Sequence, residues 1–85
     1  MDTILVVDDE KNYLLVMETL LTGAGYEVLT VDSGEEALEQ IRRNDLDLII
    51  TDMKMPRMSG IELMEQLKQV YSDLPVIMMT AYGTV

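Results

Sequence analysis

Eighty-five residues with sixteen acids, six Lys/Arg and a formal net charge of −10 leave room for one small hydrophobic core, and the 48% hydrophobic content argues for a globular chain despite that charge. The acidic excess, with no basic stripe along any segment, argues against direct nucleic-acid binding. The lack of cysteine and histidine excludes disulfides, thiolate metal sites and imidazole as base, ligand or phosphoryl carrier, so only oxygen chemistry remains.

From the N-terminus, Thr3 to Val7 is a β-branched apolar run suited to a strand buried on both faces. Its apolar part, from Ile4, has no basic flank and is too short for a signal peptide or membrane span, so a cytoplasmic location without membrane partners is expected. The run ends in Asp8-Asp9-Glu10. Leu14, Val16, Met17, Leu20 and Leu21 then fall near helical spacing over residues 11–24, with Gly23 and Gly25 as stop signals. Residues 27–31 have strand composition and are broken by Asp32-Ser33-Gly34. Ser33 with Glu36 predicts a capping box before a second helix whose inner face is Ala37, Leu38 and Ile41.

A third buried strand is expected over residues 47–51, closed by Asp52 and followed by a loop containing Pro56. Ser59 and Glu62 repeat the capping-box spacing ahead of Ile61, Leu63, Met64, Leu67 and Val70. Pro75 opens a fourth strand, residues 76–79, that ends at Thr80. The order β-α-β-α-β-α-β, with crossovers long enough for helices, is that of an α/β doubly wound parallel sheet.

In such sheets ligands bind beyond the carboxyl ends of the strands, and the residues there are Asp8, Asp9, Asp32, Asp52 and Thr80. Asp8-Asp9-Glu10 stands where a dinucleotide fold needs a glycine-rich turn. Clustered carboxylates at that turn repel one another and phosphate unless a hard divalent cation intervenes, and magnesium suits a site of few carboxylates completed by water and phosphate oxygens better than calcium does. Asp32 reads as turn chemistry and is left out of the site, while Glu10 reads as a charge favouring a helix N-terminus. Met17, Met64, Met78 and Met79 are assigned to packing. Tyr13 and Tyr82 are placed at the surface, with no catalytic role.

Taken together, Asp8-Asp9-Glu10, Asp52-Met53-Lys54-Met55-Pro56 with Gly60, and Thr80-Ala81 resemble the motifs of response-regulator receiver domains over essentially the whole chain. The resemblance implies a flavodoxin-like receiver fold of strand order 2-1-3-4 spanning residues 1–85, with Asp52 as phosphoacceptor. It implies Mg2+ held by Asp8, Asp9, Asp52 and the backbone carbonyl of Lys54, Thr80 as the switch hydroxyl, and a sensor histidine kinase as the phosphoryl donor. Such a chain is a signalling module with slow self-dephosphorylation, not a turnover enzyme. Receivers usually continue through a fourth helix, a fifth strand ending in Lys-Pro and a fifth helix; this sequence stops at Val85, so a truncated receiver that self-associates through its fourth-strand edge is expected. The ending Thr80 to Val85 also resembles receivers attached to ATPase-type transcriptional activators.

Two other functions remain open. A magnesium phosphatase with an aspartate nucleophile normally places an Asp-x-Asp pair after one strand, whereas this chain has Asp52-Met53-Lys54. An interaction module that keeps the receiver shape without using phosphate would differ in accepting no phosphoryl group at Asp52.

Overall fold

The computed structural model describes residues 2–53, 58–71 and 73–79. Its elements are β1 (Thr3–Val7), α1 (Lys11–Gly23), β2 (Glu27–Val31), α2 (Gly34–Arg43), β3 (Leu48–Asp52), α3 (Gly60–Val70) and β4 (Val76–Met79). The strands form one sheet in the order β2-β1-β3-β4, every described pair parallel. This is the flavodoxin-like order expected from the sequence. No described helix is long and apolar enough to cross a membrane.

The local chemistry explains the boundaries. Glu10 caps α1, its carboxylate accepting from the Asn12 N–H at 3.2 Å. Ser33 supplies the hydroxyl arm of a cap on α2, accepting from the Glu36 N–H at 3.1 Å. At Ser59 both arms form: its hydroxyl accepts from the Glu62 N–H and the Glu62 carboxylate accepts from the Ser59 N–H, each at 3.1 Å, satisfying two donors that a helix end leaves orphaned. Between α1 and β2 the chain reverses at Gly25, whose φ of +100° is open to glycine and strained for other residues.

Each face of the sheet builds its own core. Against α2 and α3 lie Leu5, Val7, Val31 and Ile49, meeting Ala37, Ile41, Leu63 and Leu67. On the α1 face Ile4, Val6 and Ile50 meet Leu14, with Tyr13, Met17, Leu21 and Met79 packed around them. Successive strand residues alternate between faces, so β1, buried from Ile4 to Val7, feeds both cores at once.

Three expectations shift. β3 begins at Leu48 and includes Asp52, because Asp47 is occupied with the start of β1: its N–H donates to the Thr3 carbonyl at 2.8 Å and its carboxylate accepts from the Thr3 N–H at 2.7 Å. Val16, Leu20, Ile61 and Val70 face outward, since α1 docks through the narrower stripe Tyr13, Leu14, Met17 and Leu21 and α3 through Leu63 and Leu67. Tyr13, expected at the surface, is half-buried on the α1 face of the sheet.

Candidate functional site

The parallel register places the acids. Val6 pairs with Ile50 and Asp52 with Met79; two residues past Val6, Asp8 continues the same row on the α1 face. β1 is held as far as its exit by the Asp8 N–H, which donates to the Val31 carbonyl of β2 at 3.1 Å. β3 and β4 are tied beyond Asp52 by the Met53 N–H, which donates to the Met79 carbonyl at 2.9 Å. Asp8, Asp9 and Asp52 are thereby brought together, each offering a carboxylate oxygen within 4.8 Å of the others. Asp8 is buried, Asp52 half-buried and Asp9 exposed. Asp32 stands outside this group, as its turn reading implies.

Burial pushes the Asp8 carboxyl above its ordinary value of 3.8. The Glu10 N–H, donating to Asp8 Oδ1 at 2.8 Å, opposes that rise, and the negative charges of Asp52 and Asp9 add to it. A carboxylate crowded by two others in a desolvated position is relieved by a proton or a cation. The donor set of three carboxylate oxygens fits a hard divalent ion that keeps part of its water shell.

Two glycines allow the surrounding loops to close on this row. A Cβ at Gly60 would collide with the backbone carbonyl oxygen of Asp52 and lie 3.1 Å from Met53 Cα. With hydrogen there instead, the Gly60 N–H donates to the Met53 carbonyl at 3.0 Å, seating the start of α3 on the end of β3. At Gly34 a Cβ would meet Met58 Sδ at 2.6 Å, so the glycine makes room for a methionine that also packs against the α2/α3 core. Lys54 and Thr80, both singled out in the sequence, lie outside the described residues. A cavity of about 540 Å³ lies at the opposite end of the sheet, lined by residues 41–47 together with Tyr71 and Leu74, away from the acids.

The response regulator receiver domain family matches residues 4–85. The chain belongs to that family. As a receiver it is 42% identical over 82 residues to the transcriptional regulatory protein ZraR of Escherichia coli K12, an alignment covering 96% of this chain and 19% of ZraR. Among solved structures, TrrA of Thermotoga maritima in complex with Mg(2+)-BeF superposes with a TM-score of 0.92 at 40% identity, covering 98% of this chain and 72% of that one. TrrA bound to the histidine kinase ThkA gives 0.92 at 39% identity, covering 99% and 72%. The chain thus spans about a fifth of the length of the curated ZraR relative.

The residue that sequence reasoning missed is Tyr13. Its hydroxyl donates to Met79 Sδ at 3.1 Å, reaching from the first turn of α1 to the end of β4. Burial raises the phenol above its ordinary value, and the charges of Asp8 and Asp52 raise it further. Its spacing with Met17 and Leu21, four residues apart each, was the available signal that it belongs to the inner stripe of α1.

Proposed function

We propose that this receiver accepts a phosphoryl group on Asp52 from a phosphohistidine of a sensor histidine kinase, in the cytoplasm, with magnesium held by Asp8, Asp9 and Asp52. The observation that carries the reading is the convergence of those three carboxylates, within 4.8 Å, at the carboxyl ends of β1 and β3. In the transfer an Asp52 carboxylate oxygen attacks phosphorus in line; the P–O bond to Asp52 forms as the P–N bond to histidine breaks, and the nitrogen keeps the electron pair. The bound cation supplies charge neutralisation for the nucleophile and the phosphoryl oxygens. Asp8, desolvated and crowded, gives the pocket its preference for a cation over a vacancy. The motif resemblance extends the ligand set to the Lys54 carbonyl and assigns Thr80 as the hydroxyl that meets the phosphoryl group.

The histidine kinase as partner is supported by the ThkA complex of the similar TrrA, and a transcriptional output for a longer parent by the similarity to ZraR. Incubation with acetyl phosphate and Mg2+, followed by intact mass and reductive trapping, tests the acceptor. One phosphoryl mass is expected on the wild type and none on Asp52→Asn. Undiminished modification of the variant would remove the assignment.

A second reading concerns assembly. β4 pairs only with β3 among the described residues, and its Ile77 is 48% exposed. A strand edge unpaired among the described residues and carrying apolar side chains is a template for another strand, which supports pairing of this chain with a second copy through β4.

A further inference from the structure

The row across the sheet end runs from Asp8 through Asp52 to Met79, all on the α1 face. The carboxylates proposed to hold the cation lie on the β1 side of Asp52. On the β4 side stands Met79, the register partner of Asp52, with the Tyr13 hydroxyl donating to its sulfur at 3.1 Å. Met79, whose sulfur accepts from the phenol O–H, thus lies one strand spacing, roughly 4.8 Å, from Asp52 along this row.

A thioether is a weak acceptor. An anionic phosphoryl oxygen is a strong one, and hydrogen bonds to it are about twice as strong as neutral ones. A phosphoryl group would extend the Asp52 side chain by two bonds and bring three acceptor oxygens to the row that Tyr13 overlooks. The ring is anchored by packing against Ile4, Val6 and Ile50 with Leu14, so the hydroxyl can change partner without the helix moving. The field of Asp8 and Asp52 already felt by the phenol fits that proximity.

We propose that Tyr13 is an acceptor-sensing residue: its hydroxyl donates to Met79 Sδ while Asp52 is unphosphorylated and transfers to a phosphoryl oxygen once Asp52 is phosphorylated, releasing the end of β4 from α1. This rests on the phosphoacceptor reading and adds a sensor on α1 to it. Such a transfer makes Met79 a competitor of the phosphoryl group for one hydroxyl, so the two partners have opposite effects on the phosphorylated state.

The test uses the whole chain with saturating Mg2+ and beryllofluoride as the phosphoryl stand-in, comparing wild type, Tyr13→Phe and the volume-conserving Met79→Leu, each first shown to be folded by its thermal melt. Beryllofluoride affinity should fall roughly ten- to a hundredfold in Tyr13→Phe, the size expected for one hydrogen bond to a charged acceptor, and be unchanged or tighter in Met79→Leu. The Met79 methyl resonance should move on beryllofluoride addition more in wild type than in Tyr13→Phe. Equal weakening by both variants would mean a static clamp and overturn the proposal, as would no change in Tyr13→Phe. If beryllofluoride fails to bind the wild type at all, the phosphoacceptor reading falls and this inference with it; binding that ignores Tyr13 overturns this inference alone.

Discussion

Replacing Asp8 by Asn should stabilise the metal-free receiver while abolishing its response to Mg2+. Asp8 is 8% exposed and shares a 4.8 Å cluster with Asp9 and Asp52. Two unit charges at that separation repel by about 3.5 kcal/mol at an effective dielectric of 20 and about 0.9 kcal/mol in bulk water. With Asp9 exposed and Asp52 half-buried, about 1–2 kcal/mol of relief is expected. Asn retains a carbonyl oxygen for the Glu10 N–H, so the local turn survives. For a chain of this size that gain raises the melting temperature by roughly 5–10 °C in chelator. Wild type should gain about 1.4 kcal/mol when Mg2+ is raised to ten times its Kd, whereas Asp8→Asn should gain far less, so Mg2+ narrows or reverses the ranking of the two proteins. The pH dependence carries the same sign. The folded-state pKa of Asp8 lies above its ordinary 3.8, so between those values the folded chain keeps a proton that the unfolded chain has lost. That contribution is fully present below 3.8 and is lost as pH rises through the raised value. In chelator, stability of the wild type should therefore decline over that window, and the variant should lack this component. A variant that melts at or below wild type in chelator would refute the idea that the acids are mutually destabilising.

Gly60→Ala should cost about 1–3 kcal/mol by overpacking, because its Cβ collides with the Asp52 carbonyl; weakened Mg2+ binding alongside the lower melt would show that the collision is felt at the acids, and an unchanged melt would contradict the close approach. Ser59→Ala removes the hydroxyl arm of the capping box and should cost about 1 kcal/mol, read by denaturant titration, with Mg2+ affinity little altered. Light scattering should show concentration-dependent association through β4, reduced by Ile77→Lys on that strand; a strict monomer at millimolar concentration would dismiss that assembly.

The fold was legible because each strand is a short β-branched or apolar run closed by an acid or a turn, and both Ser-x-x-Glu signals mark true helix starts. The acidic trio was legible for a related reason: in a parallel sheet the residue after a strand must fall at the ligand-binding end. What stayed hidden was orientation. Apolar spacing alone gave α1 a stripe wide enough to include Val16 and Leu20, yet the sheet accepts only the arc centred on Leu14, Met17 and Leu21. Tyr13 was missed because an aromatic with a polar tip suits both surface and core, and only the position of Met79, sixty-six residues away in sequence, decides between them.

The pairing of β1 also bears on how the chain is made. Its first partner, β2, begins at Glu27, and its second, β3, at Leu48, so during synthesis the segment Thr-Ile-Leu-Val-Val leaves the ribosome with neither partner strand available until the chain has passed Glu27. Parallel pairing of this kind is slow and exposes sticky segments in the meantime. The segment is followed at once by Asp8, Asp9 and Glu10, a block of negative charge of the sort that keeps nascent β-prone stretches from sticking to one another. The acids that crowd the finished pocket are therefore also placed to act as gatekeepers during synthesis, and neutralising them is expected to lower soluble yield on expression.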